Sequence, residues 1–112
     1  MGTTLDYVEY VEDQVRGPWE LRHRKMFGEY MVWVNDKPLL LVCDNTVFVK
    51  MLPEIEALMG GAETGFPYEG AREHWVLNVD NSEIAREVIA VLEAAAPPPK
   101  PKRPRPPKKG RS

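Results

Sequence analysis

Residues 21–50 read LRHRKMFGEYMVWVNDKPLLLVCDNTVFVK, from Leu21 to Lys50, and this stretch decides the fold. Tyr30–Val34 concentrates aromatic and β-branched side chains, which suit a pleated surface. Asn35-Asp36-Lys37-Pro38 has turn chemistry. Leu39–Cys43 is a short continuous apolar run, as expected of a central strand, Asp44-Asn45 is the next turn and Thr46–Lys50 a fourth strand. Leu21–Phe27 alternates poorly, with Arg22, Arg24 and Lys25 crowded beside Met26 and Phe27, and Gly28 marks a bulge, bend or tight turn. Four strands with such short connections pair mostly antiparallel, because parallel neighbours need crossovers of about a dozen residues or more.

Helical periodicity flanks these strands. Before them, Leu5, Val8, Val11 and Val15 recur at three- and four-residue steps, Thr3 or Thr4 can cap the helix, and Gly17-Pro18 stops it. After them, Pro53–Met59 suits a short helix closed by Gly60-Gly61, and Thr64–Arg72 is a loop. His74–Val79 alternates, with Trp75, Leu77 and Val79 on one face. Asp80, Asn81 or Ser82 caps a last helix whose inward stripe is Ile84, Val88, Leu92 and Val91. The order α-β-β-β-β-α-β-α predicts a two-layer α+β domain, an antiparallel β-sheet with helices on one face.

The 112 residues fit one domain, and a composition of 43% hydrophobic and 29% charged residues is that of an ordinary globular protein. The net charge of −2 conceals a partition. Residues 97–112 carry Lys100, Lys102, Arg103, Arg105, Lys108, Lys109 and Arg111 and no acid. Residues 1–96 keep the other eight of the 15 bases together with all 17 acids, a net of −9 beside a segment of +7. That segment also holds seven of the 11 prolines. The expectation is a folded acidic body, residues 1–96, and a disordered basic tail, residues 97–112, biased toward polyproline II and able to reach about 50 Å. The absence of a long apolar run and of a secretory pattern favours the cytoplasm.

Signatures of chemistry are sparse. Gly60-Gly61 lacks the lysine of a phosphate-binding loop and serves better as a helix stop. One cysteine excludes an internal disulfide framework or a cysteine-rich zinc site. His23, His74 and Cys43 could meet only through the fold, and Cys43 is best explained as a small apolar residue of a buried strand. Asp44 beside it raises a thiol pKa, the wrong direction for a nucleophile. No metal, cofactor or catalytic residue is expected. Arg24-Lys25-Met26-Phe27-Gly28-Glu29-Tyr30 packs two bases, an acid and two aromatics into seven positions. It is either a recognition surface, with Arg24, Lys25, Glu29 and Tyr30 contacting a protein partner, or a solvated sheet face with weak cross-strand ion pairs.

That segment, with Leu41-Val42-Cys43-Asp44-Asn45, Val47-Phe48-Val49-Lys50 and Pro67-Tyr68-Glu69-Gly70-Ala71, resembles the N-terminal domain of the TfoX/Sxy competence regulators over roughly residues 3–95. The resemblance implies the same small α+β layout, with no established catalytic activity or cofactor. It also implies a coactivator role in transcription beside the cyclic-AMP receptor protein. Full-length regulators carry a second, helical domain, where this chain has its proline-lysine-arginine segment. Met31 stands where the family often has glycine, and Met51-Leu52 where a polar pair is common.

The expected function is therefore a non-enzymatic regulatory or interaction module whose tail associates with nucleic acid in a salt-sensitive way. Two other readings compete with it. One is a small-molecule or enzymatic site near Cys43 and the Tyr68 loop. The other makes the tail a proline-motif ligand, because Pro98-Pro99-Lys100-Pro101 fits proline-x-x-proline.

Overall fold

A computed structural model describes residues 3–26 and 29–97. The elements are α1 (Leu5–Gln14), β1 (Leu21–Met26), β2 (Glu29–Val34), β3 (Lys37–Cys43), β4 (Thr46–Val49), a 3-10 turn at Pro53–Ile55, β5 (Thr64–Gly65), β6 (His74–Val76) and α2 (Ser82–Ala95). The six strands form one antiparallel sheet in the order β1-β2-β3-β4-β6-β5. It is the expected α+β architecture. The expected bend at Gly28 and the tail beyond residue 97 lie outside the described residues.

Two hairpins set the register. Asn35 and Asp36 have φ of 51° and 67°, and Asp44 and Asn45 have 52° and 53°. Positive φ at both central residues is the type I′ signature, whose twist matches that of the flanking strands, and Asn and Asp tolerate it better than other non-glycine residues. The β2–β3 register shifts between Val32 and Trp33, so that Val32 pairs with Leu40 but Trp33 with Pro38. The bulge accommodates Pro38, which has no amide to give to the ladder. The strand thus begins at Lys37, earlier than the apolar run from Leu39 indicates.

The core lies between the helices and one sheet face, filled by Val8, Val11 and Val15 from the α1 segment, Val32, Val34, Leu40, Val42, Val47 and Val49 from the sheet, and α2. Thr4 caps α1 by accepting from the Tyr7 amide at 3.2 Å, and Asn81 caps α2 by accepting from Ile84 at 3.3 Å. Two expected core positions are corrected. Leu5 is 44% exposed and Ile84 is 37% exposed. In α2 the buried stripe is Ala85, Val88, Ile89 and Leu92, with Val91 only partly covered. The small Ala85 turns toward the sheet, which rotates Ile84 to the edge of the stripe.

Two further segments depart from expectation. Only Pro53–Ile55 is helical, as a 3-10 turn, and the chain continues in turns to Gly61. The expected loop after Thr64 begins with β5, whose Gly65 lies so close to Phe48 that an added Cβ would sit 3.2 Å from the ring. The β6 ladder ends at Val76, but Leu77 donates to the Val47 carbonyl at 2.8 Å, and both Leu77 and Val79 are buried as the alternation requires. Gly17 is required for another reason: a Cβ there would lie 2.6 Å from the Trp19 ring, whose Nε1 donates to the Val15 carbonyl at 2.9 Å.

Candidate interaction face of the sheet

Because both helices pack on one side, no helix covers the other side of the sheet among the described residues, although the segment from Tyr68 to Glu73 lines a groove there and Phe48 is only 7% exposed. Register names its occupants. Arg24 pairs with Met31, Met31 with Leu41, Leu41 with Phe48 and Phe48 with Val76, one row across five strands. Arg22 pairs with Trp33 in the next row, and its guanidinium stands 4.5 Å from the Trp33 ring centroid. Phe48 packs edge-on against His74 at 6.4 Å. A groove of about 640 Å³ runs over this face, floored by Met31, Leu39, Leu41 and Phe48 and rimmed by Lys50, Tyr68, Arg72 and His74. Tyr68 is 59% exposed, and Phe66 beside it in sequence is also exposed.

Charge divides along the same plane. The helix side is mostly acidic: exposed Asp6, Glu9 and Asp13 lie on α1, and exposed Glu83 and Glu87 on α2 beside exposed Arg86, while Arg16 just after α1 pairs with Asp13. The sheet side carries Arg22, Arg24, Lys50 and Arg72. Of these, Arg22 pairs with Asp36 at 3.4 Å, while Arg24, Lys50 and Arg72 have no carboxylate within ion-pair distance among the described residues. Glu73 is the acid on the groove rim.

The four side chains expected to form one partner surface do not come together. Arg24 and Lys25 are exposed but point to opposite faces, as neighbours on a strand must. Tyr30 is a core residue, 8% exposed, with its ring edge-on to His23 at 5.7 Å. Glu29 is occupied within the fold: its Oε1 accepts from the Asp44 amide at 2.9 Å and from the Thr3 hydroxyl at 2.7 Å. Only Arg24 of the set belongs to the groove side. Trp33, Leu41, Phe48, Lys50, Arg72 and His74 are the members that spacing within residues 24–30 could not supply. Counting by twos from the hairpins, with Val32 and Leu40 set inward, would have found those on β2 to β4. The seven tail cations lie outside the described residues.

Cys43 is 3% exposed. Burial first, then the charges of Glu29 and Asp44, push its thiol up to about 11. It is a protonated thiol at neutral pH, and it does not line the Tyr68 groove. Cys43 and Tyr68 therefore do not share one cavity. His23 Nδ1 is bound to Glu12 at 2.9 Å, and His74 Nδ1 to the Arg72 carbonyl at 2.7 Å. Among the described residues no three His, Cys, Asp or Glu side chains gather as metal ligands would. Among the described residues no helix is long and apolar enough to cross a membrane.

No family model matches the chain, and no solved structure matches it. One curated relative is 32% identical over 105 residues, covering 92% of this chain and 91% of its own length. It is the "uncharacterized 12.7 kDa protein in trpE 5′ region" of Spirochaeta aurantia. Identity at that level over nearly the whole of both chains shows common descent, and the chain belongs to the family of that small spirochaete protein.

Proposed function

We propose that this protein is a non-enzymatic regulatory or interaction module of the cytoplasm, similar in kind to the N-terminal domain of the TfoX/Sxy regulators, with residues 97–112 giving salt-sensitive association with nucleic acid. The observation that supports it is the helix-free sheet face, where half-buried Met31, Trp33 and Leu41 lie beside cations unpaired among the described residues. A protein that only had to fold would gain by covering Met31, Trp33 and Leu41 with another layer. A partly exposed apolar strip with a charged rim is a common form of contact surface.

The tail contributes through its charge. Seven cations and no aromatic residue suit phosphate contact without base recognition. Titration of a random duplex at two salt concentrations tests this part. With all seven contacts made, the logarithm of affinity falls against the logarithm of salt with a slope of about −6. Replacing the seven Lys and Arg by Gln removes that slope. Duplex binding that ignores salt, or that survives the replacement unchanged, overturns the assignment.

The competing small-molecule reading retains the groove beside Tyr68 but loses Cys43, whose thiol is both buried and protonated.

A further inference from the structure

We propose that the open sheet face binds single-stranded nucleic acid, with bases laid over the Trp33–Met31–Leu41 strip and phosphates met by Arg24, Lys50 and Arg72. This deepens the preceding proposal and rests on its view that nucleic acid is the partner. It moves recognition from the tail to the body.

Four observations carry it. First, the occupant must be anionic. Lys50 and Arg72 rim the groove and Arg24 stands beside Met31 in the same row, all three without carboxylate partners among the described residues, and a purely apolar occupant would leave their charges unmatched. The same cations disfavour a second copy of this face. Second, the occupant must offer flat apolar surface, because Met31 and Leu41 form a half-buried strip flanked by half-buried Trp33, with buried Phe48 beyond it. Bases meet both demands, with π faces beside phosphates, and aromatic and guanidinium planes are the groups on which unpaired bases stack.

Third, the dimensions fit. The accessible part of the row, from Arg24 through Met31 to Leu41, crosses three strands, about 10 Å at the usual strand spacing, which is a platform for about one or two bases. Arg22 already stacks on Trp33, so a plane for the next base is in place at one end, and exposed Tyr68 stands on the rim. Fourth, the acids of α1 and α2 repel a polyanion from the opposite side and confine it to the sheet. A duplex keeps its base faces stacked inside and offers this strip nothing beyond phosphates. The face therefore prefers single strands.

The test uses the full chain and fluorescence anisotropy with three probes: a twelve-residue oligo(dT), a twelve-residue oligo(U) and a twelve-base-pair random duplex. Oligo(dT) or oligo(U) is expected to bind at least tenfold tighter than the duplex. The triple substitution Arg24→Ala, Lys50→Ala, Arg72→Ala alters only exposed side chains. It is expected to weaken single-strand binding tenfold or more while changing duplex binding less than threefold. Intrinsic tryptophan emission is quenched on adding oligo(dT), and Trp33→Phe removes most of that quenching.

The two proposals fail differently. Equal affinity for single strands and duplex, abolished by neutralising the tail and untouched by the triple substitution, overturns the face and retains the tail. Single-strand binding that survives tail neutralisation but not the triple substitution supports the face and overturns the tail. No binding of any probe overturns both. Poly-glutamate of matched charge that displaces oligo(dT) at equal charge concentration overturns the base contact, because it marks the face as an acidic-peptide site.

Discussion

Glu29 Oε1 accepts the Asp44 amide at 2.9 Å, so a side chain at the start of β2 closes the turn between β3 and β4. The same oxygen takes the Thr3 hydroxyl at 2.7 Å, and that hydroxyl in turn accepts from the Asn45 amide at 3.2 Å. One carboxylate thus holds the hairpin tip and the segment before α1 together. Hydrogen bonds to an ionised acceptor are worth more than neutral ones.

Glu29→Ala removes the two bonds to its Oε1, leaving the Asp44 amide to find water and the Thr3 hydroxyl only the Val42 carbonyl at 3.1 Å. The expected loss is about 1–3 kcal/mol of unfolding free energy by urea titration. Arg24→Ala, which alters an exposed side chain with no ion pair among the described residues, changes stability by less than about 0.5 kcal/mol. If the two variants prove equally stable, Glu29 has no structural role.

Cys43 gives a second expectation. Its thiol pKa is raised from 9.0 to about 11 in the folded protein by burial, Glu29 and Asp44. A group whose pKa rises on folding contributes its full share of stability below the unfolded value. That share is lost as pH rises, because the unfolded chain ionises first. The melting temperature should therefore fall more steeply between pH 9 and pH 11 in the wild type than in Cys43→Ala. Iodoacetamide at pH 8 should label the native protein far more slowly than the urea-unfolded chain. Fast native labelling would mean that the strand end opens readily.

Much of this was legible in the sequence because the fold rests on strong local signals. Asn-Asp and Asp-Asn between apolar runs fix two hairpins, and three valines at helical spacing fix the inner face of α1. Ile84 misled because four-residue stepping gives weight to large side chains, while the close approach of α2 depends on small Ala85. The candidate face was less visible. The cluster at residues 24–30 is contiguous along the chain, whereas a strand sends successive side chains to opposite faces, so Tyr30 lies inward and Arg24 outward. Trp33, Lys50 and Arg72 come from distant segments and meet only through pairing across the sheet. The two-residue β5 has no sequence signal of its own, since it exists through pairing of Thr64 with Trp75 and Gly65 with His74.

Lys37 and Glu93 join the start of β3 to the last turn of α2. Lys37 Nζ donates to the Glu93 carbonyl at 2.6 Å and lies 3.2 Å from its carboxylate, and Asn35 Nδ2 reaches the same carboxylate at 3.4 Å. The hydrogen bonds from Lys37 and then Asn35 hold the Glu93 carboxyl below its ordinary 4.5. A pKa lowered on folding contributes stability above the unfolded value, and that contribution is lost as pH falls through the folded value. Glu93→Gln should accordingly lower the melting temperature at pH 7, and the gap from wild type should narrow toward pH 3. A gap that stays constant across that range would assign the effect to the shape of the side chain and not to its charge.

The β3–β4 turn offers a backbone test free of side-chain loss. Asp44 holds φ of 52°, a conformation that glycine adopts without cost and that β-branched residues resist. Asp44 is exposed, and it supplies the amide, not the carboxylate, to Glu29. Asp44→Gly keeps that amide and relieves the left-handed strain, at the entropic cost of a freer unfolded chain, so stability should change by less than about 1 kcal/mol. Asp44→Val keeps the amide as well but forces a branched Cβ into the left-handed region, and should cost about 1–3 kcal/mol. Both substitutions remove the carboxylate next to Cys43 and should lower its thiol pKa equally, which separates the electrostatic effect from the conformational one. Equal stabilities for the Gly and Val variants would show that the turn is not held in the left-handed conformation, and the register of β3 against β4 would need another source.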